Sequence, residues 1–321
     1  MRTLALAEYL AEGGAECRLL TTSPHAYAVM FWRNMGLPVT TFEALPASPA
    51  DTAMTRSAAA GADWLVLDGY YFSDDYRRTL HGSANCLLQF DDTVSWMDNV
   101  NLFVNQNPGA ERCETPTPNS LLGARYAVFR RAIRTLAPVP HTEPPSVLAT
   151  FGGFDPASLV LAAVKALVKT VSDCNVDAVA SGELETERAM RAWARGHGDR
   201  FHIHSVGELA PLMGRATVAL CAGGTTSLEL ASLGVPMVIV ICAENQRAGA
   251  VALAASGCAI IAGDGPDALS RAAVLVKDLL GNTARRQKMA AAGRRLIDGK
   301  GVMRIATAMH SCEAALVKMY R

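Results

Sequence analysis

Leu220-Cys221-Ala222-Gly223-Gly224-Thr225-Thr226-Ser227-Leu228-Glu229 is the stretch whose reading decides the fold. A short apolar run of strand character stops at two glycines. The chain restarts at once as a helix over Thr226–Leu233, whose first turn carries three hydroxyls. Gly234 ends that helix and Pro236 opens the next apolar strand, Pro236–Ile241. Strand, Gly-Gly turn, helix, strand is the repeating step of a parallel sheet covered by helices.

The same step recurs outward in both directions. Downstream, helices are predicted over 248–256, 267–280, 283–296 and 303–320. Upstream, Val218–Cys221 is preceded by a short helix over 209–215, a strand over 201–205, a helix over 188–195 and a strand over 176–180. Ser146-Val147-Leu148-Ala149-Thr150-Phe151 is a further strand, with a helix from Pro156 to Val171. Pro138, Pro140, Pro144 and Pro145 then read as a linker. Before it, strands at 16–21, 39–42, 64–68, 85–90 and 101–105 alternate with helices at 4–12, 26–35, 51–60 and 74–81. The expected organisation is two α/β domains, 1–142 and 143–321, of one architecture used twice. The last helix is free to cross back to the first domain.

Composition bounds the function. The 321 residues carry 30 Lys+Arg against 30 Asp+Glu, so no basic excess points to nucleic acid. Half the residues are hydrophobic, enough for a core and inconsistent with wholesale disorder. The longest apolar stretch, Val235–Cys242, is too short to span a bilayer. Eight cysteines are scattered without C-x-x-C spacing, so neither a zinc site nor a redox pair is expected. The default is a soluble cytoplasmic protein that works without a metal or cofactor.

Three strand ends carry chemistry in the second half. After Thr150-Phe151, Gly152-Gly153 allow close backbone approach, and Asp155-Pro156 is helix-start chemistry. At Gly223–Ser227, hydroxyls and unpaired helix N–H groups together make a diphosphate cradle, and Glu229 sits one turn on, where a carboxylate can take a ribose diol. No lysine follows the glycines, so this is not a Walker A loop. Ala243-Glu244-Asn245-Gln246 follows the strand to Ile241 and places amides at a third strand end. Each also reads as an ordinary capped turn. In the first half, Asp68-Gly69-Tyr70, Asp91-Asp92 and Asn105-Gln106-Asn107 end three strands. Asp91 or Asp92 can supply an acid or base, or simply close an Asx turn. His202 and His204 alternate on one strand and read as half-buried strand residues.

Ala222-Gly223-Gly224-Thr225-Thr226-x-x-Glu229-x-x-x-x-Gly234-x-Pro236, followed by Ala243-Glu244-Asn245-Gln246, resembles the nucleotide-sugar enzymes of the MurG-like GT-B group. Within it the chain looks most like the PseG-like hydrolases of UDP-2,4-diacetamido-2,4,6-trideoxy-β-L-altropyranose in pseudaminic acid synthesis. Related SpsG-like spore-coat polysaccharide proteins share the motifs. Val66–Tyr70, Phe90-Asp91-Asp92, Val104–Asn107, Gly123–Arg130 and Asp298-Gly299-Lys300-Gly301 match in order. The resemblance implies a GT-B fold: two Rossmann-like doubly wound parallel-sheet domains with an interdomain crevice. It implies hydrolysis of a UDP-linked sugar, with UDP near Gly152, Gly153, Gly223, Gly224, Thr225 and Thr226, and Glu229 on the ribose. Val206 to Met213 would border the uracil, and Asn245 and Gln246 would reach sugar or phosphate. Tyr70, Asp91 and Asn245 are the catalytic candidates. A UDP-sugar glycosyltransferase and a non-catalytic sugar-nucleotide-binding paralogue are the alternatives. Phe154 stands where the family has a hydroxyl residue.

At the front the family has a strand and a G-x-G-H-x-x-R loop whose His is the proposed general base. Only Arg2 matches that loop, so no residue is carried onto the base. The expectation is an internal start codon or a shortened paralogue. Either leaves strand edges unpaired and the chain poorly stable and inactive as written.

Overall fold

The computed structural model describes residues 1–22, 26–69, 71–93, 99–113, 119–136, 143–152, 159–180 and 184–319. Tyr70, Gly153, Phe154 and the expected helix start at Asp155-Pro156 lie outside them. The chain forms two compact units, Met1–Arg131 with Gly299–Arg321, and Ala132–Asp298. The division differs from the expected one at 142/143. Residues from Gly299 onward group with the first unit because the C-terminal helix, Gly301–Met319, packs on the first helix.

The first unit runs α1 (Arg2–Glu12), β1 (Leu19–Thr21), α2 (Ala26–Asn34), β2 (Val39–Thr41), α3 (Pro49–Ala59), β3 (Trp64–Asp68), α4 (Asp74–Leu80), β4 (Cys86–Phe90), β5 (Leu102–Asn105) and β6 (Ser120–Leu122). A short α5 (Arg131–Arg134) spans the division. Local chemistry sets the helix starts. The Ser48 hydroxyl accepts from the Asp51 N–H ahead of α3, and Ser73 does the same for Tyr76 in α4.

The strands of this unit lie in two separate parallel sheets, β1-β2 and β3-β4-β5-β6. Helix α1 packs on both. Leu4 and Ala7 join Trp32, Leu19 and Val39 beside the two-stranded sheet. Ala5 and Leu6 join Leu88, Phe90, Leu102, Val104, Ile305 and Met309 on the four-stranded one.

The second unit runs β7 (Ser146–Thr150), α6 (Leu159–Thr170), β8 (Asn175–Val179), α7 (Leu184–Arg195), β9 (Phe201–His204), α8 (Leu209–Arg215), β10 (Val218–Ala222), α9 (Thr225–Leu233), β11 (Met237–Ile241), α10 (Glu244–Ala255), β12 (Ala259–Asp264), α11 (Leu269–Leu280) and α12 (Thr283–Leu296). Its six strands are all parallel in the order β12-β11-β10-β7-β8-β9. Both faces are covered, which is why its central strands are apolar throughout rather than alternating. Val147, Ala149, Val218, Leu220, Val238 and Val240 pack with α6 and α11. The intervening Leu148, Cys221 and Ile239, also wholly buried, lie outside that cluster, on the side of α8, α9 and α10.

The sequence-based expectation misses β6 and β12 and starts α10 four residues late. Gly-flanked Ala259-Ile260-Ile261-Ala262 is too short and small to announce a strand, and it becomes one only by pairing with β11. Among the described residues, no helix is long and apolar enough to cross a membrane.

Candidate functional site

Strand order alone locates the site. From β7 the chain moves outward through β8 to β9, then returns to the other side of β7 and moves through β10 and β11 to β12. The switch point lies between β7 and β10, and open α/β sheets bind ligands beyond the carboxyl ends of the strands at such a point. Cys221 pairs with Thr150 in register. Gly152 and Gly223 each follow two residues later, so both glycine turns leave the sheet at one level.

The two glycines of the Gly223-Gly224 turn do different work. A Cβ on Gly223 would sit 3.2 Å from the Gln246 Cβ and 3.3 Å from the Ala250 Cβ. Gly223 therefore lets α10 close against the turn and brings the Asn245-Gln246 motif beside it. A Cβ on Gly224 would meet nothing within 4 Å. Gly152 has φ +90° and likewise faces open space. Among the described residues, nothing fills the room that Gly152 and Gly224 border.

Gly224 caps α9 without a side-chain hydrogen bond, and Ala243 caps α10 in the same way. Two helices of nine and twelve residues thus start at the carboxyl ends of adjacent strands, β10 and β11. Their N-terminal dipole ends favour an anion there. Thr225 and Thr226 are half-buried in the first turn of α9. Ser227 is not available: it is fully buried and its hydroxyl donates to the Gly224 carbonyl at 2.7 Å. Glu229, one turn on from Thr225, is 8% exposed. Asn245 is exposed in the first turn of α10, and the Gln246 side-chain oxygen accepts from the Cys242 N–H at 3.1 Å. Val206 is half-buried in a single 3-10 turn, 206–208, whereas Met213 is wholly buried in α8.

A buried polar group supports that 3-10 turn. The Asp177 carboxylate in β8 accepts from the Ser146 hydroxyl at 2.6 Å, from His204 at 2.8 Å and from Arg215 at 2.8 Å. The other His204 nitrogen meets Glu208 at 3.3 Å, and Glu208 closes a capping box with Ser205. This network was not expected from the sequence. Its one signal is a lone Asp inside the apolar strand Val176–Ala180. His202 is exposed, not half-buried, while His204 is half-buried as expected.

Burial pushes the Asp177 carboxyl up, but the His204 and Ser146 hydrogen bonds and the Arg215 charge outweigh it and bring it from 3.8 to about 2. The Asp177 and Glu208 contacts raise His204 above its ordinary 6.5 against the opposing effect of burial. The stabilisation held by Asp177 is complete above 3.8 and fades as pH falls toward 2. That held by His204 is complete below 6.5 and fades as pH climbs through its raised value. This network is thus at full strength between 3.8 and 6.5. Melting temperatures across pH check it. The native chain loses stability on passing above 6.5, whereas His204→Gln shows a flat limb there. Parallel profiles would refute the assignment.

The first unit has its own polar carboxyl edge. Strand β4 ends at Phe90, so Asp91 and Asp92 lie just beyond its carboxyl end. Asp91 closes an Asx turn, accepting from the Thr93 N–H and hydroxyl at 2.7 Å each, and takes the Gln89 amide at 3.2 Å. Asp92 accepts from Asn107 at 3.0 Å and pairs with Arg2 at 2.5 Å. Arg2 also binds Asp68 at 2.6 Å. Asp68, Asp92 and Asn107 are thereby gathered around the start of α1.

No family model matches the chain. It is 27% identical over 163 residues to the spore coat polysaccharide biosynthesis protein SpsG of Bacillus subtilis (strain 168), covering 50% of this chain and 48% of that protein. It is 23% identical over 200 residues to the uncharacterized protein MJ1062 of Methanocaldococcus jannaschii, covering 58% and 41%. The chain thus spans about half the length of the curated relatives it matches. Among solved structures, Acinetobacter baumannii MurG superposes with TM-score 0.64 at 16% identity, over 96% of this chain and 94% of that one. The spinosyn rhamnosyltransferase SpnG superposes with TM-score 0.65 at 17% identity, over 96% and 95%. SpnG has also been solved with thymidine diphosphate. These likenesses show the fold, which is the GT-B type.

Proposed function

We propose that the second unit binds the nucleoside diphosphate of a sugar nucleotide, UDP by preference, for use in polysaccharide synthesis. The observation that carries this is the switch point: among the described residues, Gly152 and Gly224 border open space where α9 and α10 start without side-chain caps, and Gly223 lets α10 close beside them. Gly152, Gly153, Gly223, Gly224, Thr225 and Thr226 take the diphosphate. Glu229 takes the ribose diol, Val206 to Met213 border the base, and Asn245 and Gln246 reach toward phosphate or sugar. Being wholly buried, Met213 acts from behind the site, by holding α8. The polysaccharide context is extended from the name of SpsG.

The reaction we assign is hydrolysis of a UDP-linked 2,4-diacetamido-2,4,6-trideoxy sugar, on the strength of the motif match. Water forms the new bond to the anomeric carbon, the bond from that carbon to the diphosphate oxygen breaks, and UDP leaves with the electron pair. The water proton needs a base. No residue here corresponds to the histidine of the resembled family. Asp91 and Tyr70 are the first unit's candidates to accept that proton; Asn245, a neutral amide, is the second unit's candidate to orient the reacting sugar or phosphate by hydrogen bonds. A transferase reading, in which an acceptor hydroxyl replaces water, is favoured by the likeness to the rhamnosyltransferase SpnG.

Titration calorimetry with UDP tests the site. Glu229→Ala should lower affinity about 10- to 100-fold, the equivalent of one or two charge-assisted hydrogen bonds. Unchanged affinity removes Glu229 from the site. Incubation with the UDP-sugar and no acceptor separates the two reactions. Prompt UDP release supports hydrolysis, and release only on adding an acceptor supports transfer.

A further inference from the structure

His204 ends β9, and its ring lies between two carboxylates. Its Nε2 is 2.8 Å from Asp177 in β8, and its Nδ1 is 3.3 Å from Glu208 in the 206–208 turn. The two acids depend on the ring to different degrees. The Asp177 side chain is only 3% exposed and also takes Ser146 and Arg215. The Glu208 side chain is 54% exposed. Its second oxygen accepts from the Ser205 N–H and hydroxyl at 2.9 Å each, which closes the turn.

The other charged groups near the ring act on it less directly. Arg215 of α8 donates to Asp177 rather than to the ring. His202 is exposed on the same strand, its ring centre 6.3 Å away. Helix α7 packs through Met190 and Ala194 against Phe201 and Ile203, on the opposite face of β9, and its Arg191 pairs with Glu187.

An imidazolium carries a hydrogen on both nitrogens and donates to both acids, whereas the neutral ring carries one. Asp177 keeps that one, because a buried carboxylate that loses a donor costs more than an exposed one that turns to water. The bare Nδ1 then faces the Glu208 oxygen, lone pair against charge. Glu208 is pushed outward, and the Ser205 hydrogen bonds that close the turn go with it.

We infer that His204 is a proton-dependent positioning residue for the nucleotide base: in its charged form it holds Glu208, and through Glu208 the turn at Val206. This rests on the reading above, in which Val206 to Met213 border the base. The six strands are all parallel, so the turn leaves β9 at the same edge of the sheet from which the glycine turns leave β7 and β10. Affinity for the nucleotide is highest while the ring is charged and falls as pH rises through the raised His204 value. By reciprocity, binding favours the charged ring, so it takes up protons at a pH where the free ring is neutral.

UDP-glucose is the probe, because its diphosphate is esterified at both ends and lacks the second phosphate ionisation, at about pH 6, that UDP itself would add. In titration calorimetry with the full chain, affinity should fall about 3- to 10-fold from about pH 5.5 to about pH 8.5, the loss of one hydrogen-bonded contact. Repeating the upper point in buffers of different ionisation enthalpy should show proton uptake on binding. His204→Gln should give a flat profile and no uptake. Glu208→Gln should keep its affinity at the upper pH, because an amide can donate to the neutral ring and still accept from Ser205. Thermal melts show that each variant is folded. Equal affinity at both ends in the native chain overturns the proposal alone, since the nucleotide still binds. A native-like fall in folded His204→Gln does the same. Absence of binding at every pH overturns the nucleotide reading, and this proposal with it.

Discussion

Gly224→Val is expected to abolish UDP binding while leaving the melting temperature within a degree or two of the native protein. Gly224 has φ −89° and ψ −164°, an extended conformation that valine adopts readily. A Cβ at this position meets no atom of the described residues within 4 Å, so nothing among them has to move aside. The added methyls instead occupy the space where the diphosphate would approach the start of α9. Losing that approach forfeits the helix-terminal N–H contacts together, an affinity loss of about 100-fold or more. Gly223→Val is the control with the opposite signature. Its Cβ falls 3.2 Å from Gln246 and 3.3 Å from Ala250, so α10 must shift and stability falls by about 1–3 kcal/mol. Calorimetry paired with thermal melts distinguishes the two. Undiminished UDP affinity in folded Gly224→Val would place the nucleotide elsewhere.

Gly293→Ala should be the most damaging single-methyl change in the second unit, at about 3 kcal/mol or more. Helix α12 crosses α9 at this residue. A Cβ there would lie 2.5 Å from the Ala231 carbonyl oxygen and 3.2 Å from the Ala231 Cα and carbonyl carbon. These are backbone atoms of a helix, so no rotamer change relieves the clash and the two helices must part. Ala231 sits two residues beyond Glu229, so parting them disturbs the site as well. Urea denaturation gives the measurement. A loss below about 1 kcal/mol would mean that the α9–α12 contact is looser than described.

The alternation of strand and helix in the second unit was legible because its strands are apolar runs punctuated by Gly and Pro, as at Leu220–Gly224 and Gly234–Pro236. The local part of the site was legible for the same reason. Strand order was not, since no residue in Thr150–Gly152 announces that its neighbour is Cys221, seventy residues on. The distinct roles of Gly223 and Gly224 depend on α10, which arrives from the next strand. Ser227 read as a phosphate ligand because composition shows a hydroxyl but not its partner, the Gly224 carbonyl. The Asp177 group gathers residues from β7, β8, β9 and α8, and such convergence leaves no local pattern.

The divided sheet of the first unit bears on how that unit opens. Strands β1 and β2 hold three residues each, are half-buried or exposed, and share no backbone hydrogen bond with β3–β6 among the described residues. What couples the two sheets is side-chain packing through α1. Packing of that kind transmits cooperativity poorly once a helix frays. The β1–α2–β2 segment is therefore expected to open as its own foldon, its amides exchanging in excursions that leave Leu88, Phe90 and Val104 sealed; hydrogen exchange at one common rate across both sheets would refute this.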